Sequence, residues 1–386
     1  MKDDTRILII GGYGNTGRLL ARLLLERTEA SIHLILAGRN EKRARALAAE
    51  LNRDVSHTNR VTGRFLDASD KSSLLKAFQD VHLVVVASST ATYVEQIAKT
   101  AIDTGTDYLD INYSRSKIAT LQSMQNEIKN SGLCFITDGG FHPGLPSVLV
   151  RHIARYFQHL DSAVVGSLIR IDWASLESRS TETMEEFAGE FVDFTSNVYK
   201  EGTWKDAGIM ASLNPRKMDF GKPFGLGYCI PCYLEELKEL PTMFPHISET
   251  GFYVGGLNWA VDWIISPIVM LALKIWPLRA KRAMGRFLYW GLRTFSSPPY
   301  RTILKVEAKG EGKDGRPLEK SLMVSHEDGY ALTAIPVAAT IAQYLSEKES
   351  IHKPGLWFQA NIVDPERLLV DMNDMGVKIV PALEKL

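Results

Sequence analysis

The sequence predicts an α/β chain: an N-terminal doubly wound parallel sheet followed by a mixed α+β domain. Three observations carry this reading. Continuous apolar runs alternate with helix-period segments over residues 1–140. A glycine-rich turn joins the first run to the first helical segment. From about residue 160 the alternation stops, and strand-like runs separated by tight turns replace it.

Strands are expected at 6–11, 32–37, 64–66, 81–87, 108–111 and 133–137. Each is a short, mostly apolar run, the pattern of a strand covered on both faces. Helices are expected between them at 15–28, 41–51, 71–78, 92–104 and 116–129. Six strands and five helices complete a Rossmann sheet. In the middle region 163–175 and 300–312 read as strands, and 320–329 as a partner of the second. The stretch GEGKDGRP at 310–317 supplies the hairpin turn. Residues 180–200 read as an acidic amphipathic helix. The expected organisation is a Rossmann domain over 1–145 and a substrate and dimerisation domain over 146–328. A helical segment over 329–386 returns to the Rossmann domain.

Composition excludes several classes. The 386 residues are 45% apolar and 23% charged, enough for ordinary soluble cores. Lys+Arg and Asp+Glu balance at 45 each, so no global basic charge points to nucleic acid. Three cysteines do not make a secreted disulfide framework. The first residues run into a strand without a signal-peptide pattern, so the expected location is cytoplasmic.

The first strand-to-helix turn, GGYGNTG, fits a dinucleotide fingerprint through Gly12, Gly14 and Gly17. Gly12 permits the tight turn, Gly14 admits a pyrophosphate to the backbone, and Gly17 lets the helix pack on the strand. Tyr13, Asn15 and Thr16 complete the loop. The pyrophosphate would rest on the helix N-terminus, where free N–H groups and the dipole favour an anion. At the end of the second strand an NAD site usually carries an acid; here LAGRNEKRAR places Arg39, Asn40 and Arg43. Guanidinium suits a 2′-phosphate, so the expected cofactor is NADP over NAD. Asp67 is placed to meet the adenine or to cap the next helix. Ser88, Ser89 and Thr90 are placed to line the ribose and nicotinamide half, or to cap a helix.

The segments GGYGNTGRLLARLLL, LAGRNEKRARALAAEL, YLDINYS, GGFHPGLPS and DGYALTAIPVAATIAQYL, in that order, resemble the saccharopine dehydrogenase-like oxidoreductases. The resemblance spans most of the chain. It implies a Rossmann domain, an α+β substrate domain, and final helices that pack back on the first. It also implies NAD(P)-dependent oxidation or reduction of a C–N bond, or of other substrates including lipid-like ones. One position departs from the family pattern. Saccharopine-forming members resemble GLDPG where this chain has Gly140-Phe141-His142-Pro143-Gly144, so His142 replaces an aspartate that faces the substrate's amino group. A histidine prefers an anion, a hydroxyl or a proton-transfer role, which puts an amino-acid substrate in doubt.

Ligands of open α/β sheets bind outside the carboxyl ends of the strands. His142 and Tyr113 are therefore the candidate acid/base pair, each competing with a purely structural role. Asn112, Gly140, Phe141 and Asn258 are candidate substrate contacts. Asp110, inside a strand, reads as a polar group that needs partners. Cys229 and Cys232 form CIPC without a second pair, so no metal site is expected.

Residues 251–295 form an apolar and basic insertion. Between Asp262 and Glu307 there is no acid but eight bases: Lys274, Arg279, Lys281, Arg282, Arg286, Arg293, Arg301 and Lys305. The apolar run 264–275 is too short to span a bilayer, and Pro267 is expected to interrupt it. It reads as a buried insertion at a pocket or homodimer interface, or as a membrane-surface element over 263–293. The functional expectation is an NADP-dependent oxidoreductase acting on a C=N, C=O or conjugated C=C bond. The alternatives are a membrane-surface reductase of a lipid-like or isoprenoid substrate, and a non-catalytic NADP-binding sensor or scaffold.

Overall fold

A computed structural model describes residues 5–27, 32–56, 60–173, 195–208, 215–347 and 350–381. The chain divides into two units, Met1–Leu145 with Tyr330–Met375, and Pro146–Gly329 with Gly376–Leu386.

The first unit holds β1 (Thr5–Ile10), β2 (Ile32–Gly38), β3 (Val61–Phe65), β4 (Leu83–Val86), β5 (Asp107–Asp110) and β6 (Cys134–Thr137). They lie in the order β6-β5-β4-β1-β2-β3, all pairs parallel. β1 pairs with both β2 and β4, so the chain changes winding direction at β1. Ligands of doubly wound sheets bind at this switch point. A seventh strand, Gly355–Phe358, adds parallel to β6 with Gly355 opposite Cys134. The C-terminal segment, expected to be helical, therefore also contributes a strand.

The helices are α1 (Asn15–Arg27), α2 (Glu41–Leu51), α3 (Lys71–Ala77), α4 (Val94–Thr104), α5 (Arg115–Ser123) and α6 (Gln125–Asn130). Their starts are encoded locally: Asn40, Asp70 and Ser114 each accept a backbone N–H from the first turn. α4 buries Val94, Ile97, Ala98 and Ala101, the i, i+3, i+4, i+7 stripe of an amphipathic helix. Its end is set by Gly105, at φ 67°, a left-handed cap that glycine adopts freely. The helix expected at 116–129 is broken at Met124 into α5 and α6.

The second unit centres on α7 (Pro146–Ala154) and β7 (Phe157–Arg170). It adds β8 (Asn197–Lys200), β9 (Thr203–Asp206), β10 (Arg216–Asp219), β11 (Leu226–Pro231) and β12 (Glu249–Gly255). β13 (Arg301–Gly312) and β14 (Pro317–His326) complete the long strands. β7 pairs parallel with β12 and antiparallel with β13, which makes a mixed sheet. β13 and β14 form the expected hairpin, closed where Gly312 N donates to the Arg316 carbonyl at 2.8 Å. Val164, Leu168, Met218, Phe220, Cys229, Tyr253 and Ile303 form one buried cluster on this sheet. Most of the helix expected at 180–200 lies outside the described residues; its end is not helical but strand β8, paired with β9 and β12. The C-terminus does not all return to the first unit: Lys378–Val380 pairs with β14 in the second.

The first residues of the insertion expected at 251–295 belong to β12; the rest forms a helical hairpin, α8 (Ser266–Ile275) and α9 (Pro277–Phe295), preceded by one π-type turn at Val261–Ile265. Pro267 falls where the apolar run passes from the π-type turn into α8. It lies in the first turn of α8, where a missing N–H costs no helical hydrogen bond. Val261, Ile265, Val269, Leu273, Leu288 and Leu292 bury the inner faces around Trp173. α9 packs closely on the π-type turn at Gly291, where a Cβ would lie 2.1 Å from Ile265 Cδ1. Among the described residues no helix is long and apolar enough to cross a membrane.

Candidate functional site

The β1–α1 turn is built by glycine for steric reasons. Gly11 takes φ 79°, and a Cβ there would lie 2.7 Å from Ser88 Cβ. The left-handed turn residue is thus Gly11 rather than Gly12, whose own Cβ would press on the Ile9 carbonyl and Leu36 at 3.0 Å. At Gly17 a Cβ would stand 2.3 Å from the Gly11 oxygen, so only glycine lets α1 sit this close to the turn. Around Gly14 the nearest obstacle is the Gly11 oxygen at 3.1 Å, which leaves that backbone face open. Asn15 and Thr16 open α1, whose first turn carries no acidic residue. An approachable backbone at an uncompensated helix N-terminus fits a pyrophosphate.

The tip of β2 is organised by Tyr13. Its ring lies against Gly38, where a Cβ would come within 2.6 Å of the hydroxyl. The hydroxyl accepts from Asn40 N at 3.0 Å, and the Arg43 guanidinium stacks over the ring at 5.2 Å. Asn40 also caps α2, accepting from Arg43 N at 3.1 Å. Arg39 and Arg43 are exposed. Two cations and a stacked aromatic beside the strand tip suit a phosphorylated ribose. Asp67 neither caps α3, which Asp70 does, nor stands free. It accepts from Ser69 N at 2.9 Å and Ser69 Oγ at 2.7 Å, which hold its carboxyl below the usual range. Replacing Arg39 by Ala should weaken NADPH binding at least about tenfold while leaving NADH binding nearly unchanged. Parallel titrations of the two cofactors check this, and equal losses would contradict it.

A hydrogen-bonded network links the ends of β4, β5 and β6. Ser88 and Thr90 share a 3.2 Å hydroxyl contact, and neither side chain caps the following helix. Ser89 lies between them. The Ser88 carbonyl accepts from Asn112 Nδ2 at 2.8 Å. Beneath lies Lys117, 1% exposed, whose Nζ donates to Asp110 Oδ1 and Asp138 Oδ1 at 2.6 Å each and also to the Asn112 carbonyl. Thr137 Oγ1 donates to Asp110 Oδ2 at 2.8 Å. Burial alone would push the Lys117 ammonium down. The charges of Asp110 and Asp138 outweigh it and hold the group above its ordinary range. Asp110 thus finds the partners its place in a strand required.

The loop after β6 carries Gly140, Phe141 and His142. Gln359, fully buried, clamps it: Gly140 N donates to Oε1 at 3.2 Å, and Nε2 donates to the Gly140 and Gly144 carbonyls. The Phe141 and His142 rings lie 3.8 Å apart. Burial pushes the imidazole down to about 4, so His142 is neutral near pH 7. The unfolded chain takes up this proton below about 6.5 and the folded chain only near 4, so stability falls as pH drops through that window. His142→Gln should remove about 2–3 kcal/mol of that acid-side loss, read by urea unfolding between neutral pH and about pH 4.5. Identical pH slopes in the two proteins would contradict it. Tyr113 follows Asn112 on the β5 loop and is half-buried.

Not every candidate joins this cluster. Asn258 lies in the second unit as a cap, accepting from Val261 N at 2.9 Å and reaching Gly291 and Ser296. Cys229 and Cys232 are buried and form no disulfide, and burial pushes Cys229 up to about 12, far from a reactive thiolate. Among the described residues no group of His, Cys, Asp and Glu is arranged to hold a metal. Two organising residues escape sequence reasoning. Gln359 is 219 positions from Gly140. Lys117 has a local signal, since it shares the buried stripe of α5 with Ile118 and Leu121.

Comparison with known proteins agrees with this architecture. Residues 7–132 match the saccharopine dehydrogenase NADP binding domain. Among solved structures the chain is similar to apo saccharopine dehydrogenase (L-Glu forming) from Saccharomyces cerevisiae. That match has 16% identity and a TM-score of 0.64, covering 97% of this chain and 99% of that one. It also matches the DAP dehydrogenase of C. glutamicum in complex with DAP at 13% identity and a TM-score of 0.47, over 97% and 100% of the two chains. No curated protein matches in sequence.

Proposed function

We propose that this saccharopine dehydrogenase-like NAD(P)-dependent oxidoreductase uses NADP to reduce or oxidise a C=N, C=O or conjugated C=C bond of a small molecule. The observation that carries the reading is the unbroken contact path in the first unit. It runs from the glycine loop through Ser88 and Asn112 to Lys117 and Asp138, next to the His142 loop.

When bound, the nicotinamide supplies or accepts the hydride. The protein's part is positioning and proton handling. The Ser88 and Thr90 hydroxyls are placed at the end of β4 to meet the ribose and nicotinamide half. Reduction leaves charge on the substrate heteroatom, which needs a proton or a donor. Tyr113 supplies that proton, and the neutral His142 orients the heteroatom through its ring N–H. A neutral imidazole does not pair with an ammonium, so this reading favours an uncharged carbonyl, imine or enone over an amino acid at that point. Lys117 acts through others, holding Asn112 and the start of the His142 loop in register.

The test is turnover of the full chain with NADPH deuterated at C4 against a panel of imines, ketones and enones, an isoprenoid enone included. Deuterium in one product class supports the proposal, and Tyr113→Phe should then lower kcat/KM by about 10²-fold or more. Tight NADPH binding with no turnover on the whole panel would make the protein a nucleotide-binding sensor instead.

A further inference from the structure

Among the described residues, the exposed large apolar side chains are densest in one place. Among the described residues, the exposed tryptophans are Trp259, Trp263, Trp276 and Trp290, all in the helical hairpin or the few residues that lead into it. Along α8 and the turn leading into it, Ile264, Ile268, Leu271 and Ile275 repeat at i, i+4, i+7 and i+11, one continuous stripe. These eight residues are 47% to 62% exposed, although Val261, Ile265, Val269 and Leu273 already supply the packed face. The stripe is therefore surplus to the fold. The tryptophans do not stand singly: Trp259, Phe295, Trp290 and Phe287 form a run of ring contacts, with successive centroids 5.4, 5.5 and 5.8 Å apart. Trp263 lies edge-on to the exposed Tyr228 at 5.7 Å.

The charge on the neighbouring helix indicates what covers this surface. Arg279, Arg282, Arg286, Trp290 and Arg293 lie at i, i+3, i+7, i+11 and i+14 along α9, all exposed. Residues 263–300 contain six Lys and Arg and no acid, a net +6 in a chain whose total is 0, so the remainder carries −6. We infer that the hairpin docks flat on an anionic lipid bilayer, with the isoleucine and leucine stripe in the acyl boundary. The tryptophans then lie at headgroup depth, and the arginines of α9 meet lipid phosphates. Neither helix can cross the bilayer. A second copy is a poor occupant, because a two-fold contact would set an arginine-rich face against itself. The hairpin belongs to the second unit and the glycine loop to the first, so failure of the inference leaves the proposed chemistry standing.

The test is sedimentation of the full chain with vesicles of phosphatidylcholine, with and without phosphatidylglycerol. Binding should need the anionic lipid, fall with added salt, and blue-shift the tryptophan fluorescence. Arg286→Glu with Arg293→Glu should lower partitioning by about tenfold or more, and Leu271→Glu should lower it by a similar factor. Both sets of residues are exposed, so NADPH binding, measured alongside, should persist and report intact folding. Absence of binding to anionic vesicles, or equal binding to neutral ones, would overturn the inference. So would a dimer that Leu271→Glu dissociates in the absence of any vesicle binding.

Discussion

Lys117→Met should destabilise the first unit by about 3–5 kcal/mol, enough to unfold a marginal domain. The ammonium is the shared partner of two buried carboxylates, Asp110 and Asp138, each 2.6 Å away and at most 1% exposed. Methionine fills similar volume and keeps helical propensity, so the change removes charge more than packing. What remains is a pair of buried carboxylates facing each other without a cation, which is costly in a low-dielectric interior. The damage should spread to the site, because the same Nζ holds the Asn112 carbonyl and Asp138 leads into the clamped loop. Urea unfolding followed by hydrogen exchange in β5 and β6 reads both effects. Asp138→Asn added to the Lys117 variant should recover part of the loss. A Lys117 variant within about 1 kcal/mol of wild type would show that the cluster is not what fixes these strand ends.

Gly17→Val should all but abolish NADPH binding, by about 10²-fold or more, and lower stability as well. The added Cβ meets the Gly11 oxygen at 2.3 Å and the Gly12 Cα at 2.8 Å. Both are backbone atoms of the turn itself, so relief comes only from moving α1 away. A shift on the order of 1 Å takes the helix N-terminus out of register with a pyrophosphate. Gly14→Ala separates the two effects. Its Cβ has only the Gly11 oxygen near it, at 3.1 Å, so the fold should lose little while binding still suffers. Fluorescence titration with NADPH beside thermal unfolding distinguishes them. Equal stability losses in the two variants would show that Gly14 faces protein rather than ligand.

β3, expected at 64–66, lies at Val61–Phe65, because VTGRF is not an apolar run, but much of the first unit was legible: β1, β2, β4 and β6 are largely apolar runs, and α2, α3 and α5 carry their own N-terminal caps. The seventh strand was not, because Gly355–Phe358 is four residues long and its pairing with β6 is set over 200 positions away. The nucleotide loop could be read residue by residue, since glycine answers a local steric demand. The turn nevertheless places its left-handed residue one position earlier, at Gly11. Polar residues were harder. Asn40, Asp67 and Asn258 can each meet a ligand or satisfy nearby backbone, and all three are engaged with nearby backbone N–H groups. Lys117 and Gln359 matter through partners that only the folded chain brings near. The helical hairpin shows the limit of hydropathy: its apolar residues divide into a packed face and an exposed stripe, which depends on what Gly291 allows to approach.

In the proposed function, the glycine loop and the β2 tip together hold NADP. Competition against bound NADPH, using 2′,5′-ADP and 5′-AMP as fragments, tests this pairing most directly. If Arg39 and Arg43 hold the 2′-phosphate, 2′,5′-ADP should displace NADPH at concentrations at least about tenfold lower than 5′-AMP does. Equal displacement by the two fragments, or by neither, would contradict the account.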